Sequence, residues 1–573
     1  MIMKRTGLLL IAQTLLMAWL AGTVAADAWR WEAAGALRQI LQPALVGQVP
    51  DSCPSEDDLC RAISRFYRHR DYRPAWVERE GLLPEGAIAL TALHRAGFHG
   101  LRAVDYDDPW MDDLLDGVIS RPVILGTVFD GQQIRLDLVL TELILRYAFD
   151  RSVGRTAPDL VGSDRPDRAA LCPDLAVALA DALDEGRLGA FLAALGPRHR
   201  AFKALQRRLP HYQQIAAAGG WPTVDEGPPL QRGDCGPRVV QLWHRLAAAG
   251  DGLAASAGTC FDLHLEAAVR HFQQRHGLRA DGVVGEDTLA ALNVPVEARL
   301  RQIQINLERW RWMPAQLGPR YLLVNIPAFE MEIVQAGRVV ETLRTIVGRK
   351  DRPTPMLTGA ITYLELNPYW HVPPKIARED LLPKIQANPE FLARQHFHVF
   401  DSWAADAREI DPRSIDWSSL SGDHFPFRLR QAPVRQNALG QVKFMFPNEQ
   451  SVYIHDTPGK RLFERSSRPF SSGCVRVQEP LVLADFLLAG QGWDQSRLSQ
   501  TVASAQRQVV LLEKPVPVYL VYHTAWVAQD GDVHFADDIY GHDQRLGEAL
   551  AARPPARPAC SALVRQATYL GRL

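Results

Sequence analysis

The chain has 573 residues, of which 47% are hydrophobic and 23% charged, with a formal net charge of −1. That length predicts roughly two to four globular domains with sizeable cores. The near-balance of charge excludes an overall basic field of the kind that gathers nucleic acid or holds an anionic membrane surface.

At the N-terminus, Lys4 and Arg5 precede an apolar run from Gly7 to Leu20, and small residues at Thr23-Val24-Ala25-Ala26 precede Asp27. The run is short for a spanning helix, so residues 1–26 read as a removable signal peptide, with no transmembrane segment in the mature chain. Seven cysteines in an exported chain form at most three pairs, leaving one free. Cys474 is the expected leftover. Cys53 with Cys60, Cys235 with Cys260, and Cys172 with Cys560 are compatible pairings, but sequence does not choose the connectivity.

Residues 27–225 are rich in Ala, Leu and Arg with helical apolar spacing, as in Leu136, Val139, Leu140, Leu143, Ile144 and Tyr147. They predict a helical scaffold. Within it, Phe66 to Trp76 mixes aromatic and basic residues, a pattern that suits a glycan or nucleic-acid surface but more often marks a packed helix end. The unit 226–296 predicts three short helices. The first carries Val239, Val240, Leu242, Trp243 and Leu246, the second Val269 and Phe272. Its Phe272-Gln273, Gly277-Leu278, Asp281-Gly282-Val283-Val284-Gly285 and Thr288 to Leu292 elements resemble the peptidoglycan-binding domain type 1. Those are mostly core and turn positions, so the resemblance speaks for the fold more than for binding. His264, His271 and His276 lack metal-ligand spacing, and no metal site is expected.

Residues 297–319 read as a linking helix, after which the period changes. Tyr321–Ile326, Phe329–Val334 and Val339–Val347 alternate apolar residues, with Ala336-Gly337 as a hairpin turn. Ala360–Leu366, Val442–Phe446, Ser451–Ile454, Val509–Leu512 and Val518–Tyr522 add further strands, making 320–523 a mainly β domain. Between them, Asn367-Pro368-Tyr369-Trp370-His371-Val372-Pro373-Pro374 breaks regular structure. About 375–435 is too long for a connection and predicts a helical insertion, which fits a lid and a purely structural insertion equally. The fold class is thus multidomain α+β, with residues 524–573 as a tail that packs back on the scaffold.

The chemistry concentrates in Tyr453 to Arg476. A cysteine attacks a carbonyl as its thiolate, so it needs a nearby base and local donors. His455 ends an apolar run and offers an imidazole from a neighbouring strand, expected to keep the Cys474 sulfur ionised. Ser471-Ser472-Gly473 lets the backbone turn and point N–H groups at a developing oxyanion, Gly473 among them. Arg476 stands two positions on, able to grip a carboxylate. His455, a long gap, then Ser472-Gly473-Cys474-Val475-Arg476 resembles the signature of the L,D-transpeptidase family with its YkuD-type catalytic domain. Ser472 stands where that family commonly has histidine, as in its YcbB-like Gram-negative branch. The segments Tyr72 to Trp76, Leu145-Arg146-Tyr147, Thr524-Ala525-Trp526 and Asp538 to Gly541 also look like that branch.

The resemblance implies a cysteine-dependent acyltransferase of the periplasm. It would release D-alanine from a tetrapeptide stem of peptidoglycan, hold a thioester on Cys474, and pass the acyl group to a second stem as a 3-3 cross-link. It implies no cofactor, a role in wall biogenesis and cell shape, and stem peptides, with other wall-synthesis proteins, as partners. Cys474, His455, Gly473 and Asp456 are the candidate catalytic residues, Asp456 as orienter of His455 through carboxylate or backbone carbonyl. Arg476, Ser472, Tyr453, Trp370 and Asn367 are candidate substrate contacts, although a rigid Pro-rich turn fits Asn367 to Pro374 equally. Thiol hydrolysis of wall peptides, or non-catalytic wall binding, are the alternatives.

Overall fold

A computed structural model of the protein describes residues 27–41, 59–107, 111–119, 131–156, 174–251, 258–422 and 425–552. The export segment 1–26, together with Cys53, Cys172 and Cys560, lies outside the described residues. Cys60 is disulfide-bonded and Cys235 is joined to Cys260. No helix among the described residues is long and apolar enough to cross a membrane.

The N-terminal region is helical because its apolar residues recur at three and four positions. The helix Gly131–Val153 buries Leu136, Val139, Leu140, Leu143, Ile144 and Tyr147. Its Asp137 is wholly buried, accepting from Tyr67 Oη (2.6 Å) and from the Ala75 and Trp76 N–H groups (2.9 and 2.7 Å). Phe66, Tyr67 and Trp76 are buried with it, so the aromatic and basic stretch is a packed corner whose Arg70 pairs with Asp184.

Three helices, Pro237–Ala249, Leu263–Arg275 and Glu286–Leu292, form the next unit around Leu242, Leu246, Leu265 and Phe272. Gln273 donates to Asp281 Oδ1 and the Val283 carbonyl, both at 2.9 Å, and accepts from Gly282 N–H. The Asp281-Gly282 element is thereby spent on closing a loop. The helix Val296–Arg311, expected as a linker, is instead a buried hub. Its Glu308 accepts from the Thr156 N–H at 2.9 Å, its Gln302 donates to the Thr524 and Ala536 carbonyls, and its Arg309 pairs with Asp543 at 2.5 Å. The C-terminal helix His542–Ala551 reaches the scaffold, where Arg102 donates to the Ala551 carbonyl (2.6 Å) and Arg155 to that of Leu550 (3.0 Å).

The β region builds one nine-stranded sheet. Its strands are β1 (Arg320–Asn325), β2 (Glu330–Gln335), β3 (Arg338–Gly348), β4 (Leu357–Leu366), β5 (Val442–Met445), β6 (Ile454–His455), β7 (Pro469–Ser471), β8 (Val475–Val477) and β9 (Gln508–Val521). They run in the order β7-β3-β8-β6-β5-β4-β9-β1-β2, and β3 also pairs with β2, so the ladder closes on itself. The two late strands read from sequence are the single strand β9, with a register shift between Leu511 and Val516. β6 is shorter than read. Ser451 has φ +56°, and Asn448 engages both backbone groups of Val452, withdrawing them from any ladder.

The insertion after β4 carries the expected helical turns and adds a four-stranded sheet of Trp370–His371, Arg428–Gln431, Phe397–Phe400 and Glu409–Ile410. Val372, Leu382, Ile385, Val399 and Leu429 give it a core of its own.

Candidate active site

Strand register assembles the site. His455 on β6 lies opposite Arg476 on β8 and opposite Lys443 on β5, and Lys443 lies opposite Glu365 on β4. Their neighbours Val475, Ile454, Phe444 and Leu364 point into the core, so Arg476, His455, Lys443 and Glu365 form one row on the other face. Cys474 precedes Arg476 by two residues and shares that face, diagonal to His455. It is the free cysteine among the described residues and is partly exposed.

The turn before Cys474 is held from several sides. Gly473 has φ +113°, a conformation side chains resist, and its N–H donates to Ser471 Oγ at 3.2 Å. This corrects its expected role as an oxyanion donor: Gly473 shapes the turn, and its N–H is already engaged. Thr354 Oγ1 donates to the Gly473 carbonyl (2.7 Å) and accepts from the Gly348 N–H (2.8 Å). Tyr540, from the C-terminal tail, accepts from the Thr354 N–H at 3.3 Å and donates to the Gly348 carbonyl at 2.5 Å. Ser472 Oγ accepts from Arg352 at 3.1 Å.

The side chain nearest in effect to the thiol is that of Tyr453. Its hydroxyl and backbone act on the sulfur in the sense that favours the thiolate, and Trp370 acts on the same hydroxyl. The structure therefore sets Trp370 and Tyr453 beside Cys474. Burial pushes the Cys474 thiol above its usual range, with Tyr453, Lys443 and Arg476 acting against that rise. Burial, then Arg476, pushes the His455 imidazole down to about 3. The resting pair is a neutral thiol beside a neutral imidazole, which corrects the expectation of a sulfur kept ionised by His455.

Two further expectations change. The Asp456 carboxylate accepts from the Gln441 N–H (2.8 Å) and pairs with Lys460 (2.6 Å), and a Cβ at Gly440 would run into it. Its backbone carbonyl and that of Leu439 favour the protonated imidazole, while His455 Nδ1 is buried with no partner in hydrogen-bond geometry. Asn367 is buried at φ +50°, and its amide donates to the Thr501 and Gln506 carbonyls, both at 3.0 Å. Its side chain ties the end of β4 to the loop before β9 and is not left free for a substrate.

Sequence reading missed Lys443, Thr354, Arg352 and Tyr540. Lys443 sits with its ammonium 4.2 Å from the Tyr453 ring centroid, and burial lowers its pKa. The alternation Val442, Lys443, Phe444, Met445 was the available signal, a lone cation on the face away from the core. No group of His, Cys, Asp and Glu suited to a metal ion occurs among the described residues.

Comparison with known proteins agrees with this geometry. Residues 319–510 match the family model described as L,D-transpeptidase catalytic domain, YkuD. Residues 61–209 match one described as Scaffold domain, and residues 235–292 one described as "Putative peptidoglycan binding domain". Over 249 residues the chain is 35% identical to a Haemophilus influenzae protein named "Putative L,D-transpeptidase", covering 44% of this chain and 49% of that one. The chain thus spans about half the length of that relative. L,D-transpeptidase structures from Xylanimonas cellulosilytica and Stackebrandtia nassauensis align at 18% and 14% identity with TM-scores of 0.17 and 0.20, each over 52% of this chain and over 99% and 96% of theirs. Likenesses that loose carry no argument about the site. With its family match, and with a free thiol, an imidazole and an arginine on adjoining strands, the segment 319–510 is similar to the L,D-transpeptidase catalytic domain of the YkuD family, on one chain with segments that match scaffold and putative peptidoglycan-binding domain models.

Proposed function

We propose that the protein is a cysteine-dependent L,D-transpeptidase that forms 3-3 cross-links in peptidoglycan. The observation that carries this reading is the row Arg476, His455 and Lys443 across three strands with the free Cys474 at its end. Arg476 makes no ion pair among the described residues, and its buried Nε–H lacks an acceptor, so it suits a substrate carboxylate next to the reacting carbonyl.

Because thiol and imidazole both rest neutral, proton transfer accompanies attack. As the sulfur adds to the carbonyl before the terminal D-alanine, its proton passes to His455, and the Cys474 N–H faces the developing oxyanion. The imidazolium then protonates the departing D-alanine amine, leaving a thioester. An amine from a second stem adds, gives its proton to His455, and expels the sulfur, which recovers a proton from the imidazolium. Tyr453, set beside the sulfur and Trp370, positions the thiol for this sequence. The disulfides at Cys60 and Cys235–Cys260 support an oxidising compartment, as a periplasmic enzyme with a cleaved signal would meet.

Incubation with disaccharide tetrapeptides, followed by mass analysis, tests the reading. It requires dimers with loss of D-alanine and an acylated Cys474, both abolished in Cys474→Ala. Trimmed monomers alone would make the enzyme a hydrolase, and no change with the thiol unmodified would leave a binding protein.

A further inference from the structure

Proton transfer at Cys474 leaves unexplained a set of cations around the same opening. Arg428 and Arg430 share one face of the insertion's sheet, where Arg430 lies opposite His371 and Arg428 opposite Phe400. The intervening Leu429 points the other way, into the insertion's core. Both guanidiniums lie over Phe400, 4.2 and 4.8 Å from its ring centroid, and Arg430 also lies 4.9 Å from that of Tyr369. Such contacts use the flat faces of a guanidinium and leave its N–H edges free. Tyr369 follows the end of β4, where the Asn367 N–H donates to the Gln441 carbonyl at 2.8 Å two residues before Lys443, so Arg430 over Tyr369 lies toward the strand end that bears Lys443, and His371 feels the charges of Arg430, Arg428, Lys443 and Glu365.

Among the described residues no carboxylate forms an ion pair with these groups. Glu365 is taken by Arg507 at 2.9 Å and Glu409 by His398 at 2.6 Å. Arg428, Arg430 and Lys443 make no ion pair with any described residue, and the Nε–H groups of both arginines are buried without an acceptor. Half-buried cations held together unmatched cost stability unless an anion joins them, and a buried donor without an acceptor marks a place for one.

We propose that Arg428 and Arg430, with Lys443, form a second carboxylate subsite, which binds a free carboxylate of the peptide stem away from the bond that Cys474 breaks. This rests on the transpeptidase reading and extends it. Arg476 holds the carboxylate nearest the reacting carbonyl, and the insertion selects stems whose more distant carboxylate is free over those in which it is amidated.

The test uses the full chain and two tetrapeptide stems that differ only in that carboxylate, free or amidated. D-alanine release gives kcat and KM, and intact mass reports acylation of Cys474. The wild type should favour the free stem by roughly tenfold or more in kcat/KM at low salt. That ratio should narrow as salt rises. Arg428→Gln with Arg430→Gln should bring it toward one, mainly through KM on the free stem. Equal kcat/KM for the two stems in the wild type at low salt, or a ratio untouched by the double substitution, would overturn the subsite. Failure of either stem to acylate Cys474 is a different result, and it removes the transpeptidase reading and the subsite together. The wild-type ratio and its salt dependence need no variant, so a poorly folding substitution does not spare the proposal.

Discussion

Arg352 donates to both carboxylate oxygens of Asp380, at 2.6 and 3.2 Å, and from the same guanidinium to Ser472 Oγ at 3.1 Å. Glu379 also pairs with it, and Arg349 lies 3.6 Å from Asp380. Both acidic residues sit on the π-helical turn Ala377–Leu381, so this pair joins the insertion to the turn that presents Cys474. Arg352 is buried, and removing it leaves carboxylates that turn to solvent and an insertion released at its base. Arg352→Ala should raise the alkylation rate of Cys474 by a small neutral reagent several-fold. It should lower kcat/KM on a stem peptide roughly tenfold through misplaced substrate. Alkylation that stays unchanged would show that the pair does not close the insertion over the thiol.

The neutral resting pair makes a prediction about pH. Free thiols titrate near about 8.5, and burial holds Cys474 higher, against the charge of Lys443. Its labelling by iodoacetamide should therefore keep rising above pH ~8.5 rather than level off near neutrality. Lys443→Met removes a cation that favours the thiolate, so at pH 8 labelling should fall by about threefold to tenfold. A plateau near pH 7 in the wild type would mean an ion pair and defeat the neutral-pair account.

Tyr453 is the hydroxyl that acts on the sulfur, and its ring carries the Lys443 ammonium. Tyr453→Phe keeps the ring and removes the hydroxyl that joins Trp370 to the thiol. It should lower kcat by about tenfold, in the range seen for loss of one positioned hydrogen-bonding group, with little change in melting temperature. If only KM moves, the hydroxyl serves substrate binding and not the thiol.

What the sequence disclosed about this site is what the chain keeps local. The turn Ser471 to Arg476 lies within one short stretch, and a glycine followed by cysteine can be read there without knowing the fold. A strand ending at His455 was legible too, because an apolar run leads into it. Lys443 and Arg352 could not be read so, because each reaches the thiol through a register or ion pair set by distant segments. For Asp456, adjacency in sequence left carboxylate and backbone carbonyl both open, and the fold spends the carboxylate on Gln441 and Lys460, leaving the carbonyl toward His455. The protonation state misled for a different reason: residue types imply an ion pair, while burial decides whether charge survives, and burial appears only once the insertion is folded over the sheet. Asn367 carries the same lesson, its amide being claimed by two carbonyls from the far end of the domain.

The imidazole of His523 makes a prediction about stability. It stacks on Trp310 with centroids 4.6 Å apart, and burial, reinforced by Arg309, pushes it down to about 3. An unfolded histidine titrates near about 6.5. Between those values the unfolded chain takes up a proton that the folded one refuses, so the stability this group contributes is complete above pH ~6.5 and lost as pH falls toward 3. Asp137 and Asp150, pushed by burial up to about 6, act in the opposite sense, because their folded forms take protons more readily than unfolded ones. A raw melting curve against pH mixes the two, whereas a comparison with His523→Phe isolates one. Phenylalanine keeps a ring on Trp310 and cannot be protonated, so the variant should lose less stability on acidification. The difference should grow by up to about 1.4 kcal/mol per pH unit, or roughly 2 kcal/mol between pH 6.5 and 4.5. Calorimetric scans of both proteins at one scan rate measure it, and parallel declines of the two melting temperatures would show that this imidazole is not held neutral by the fold.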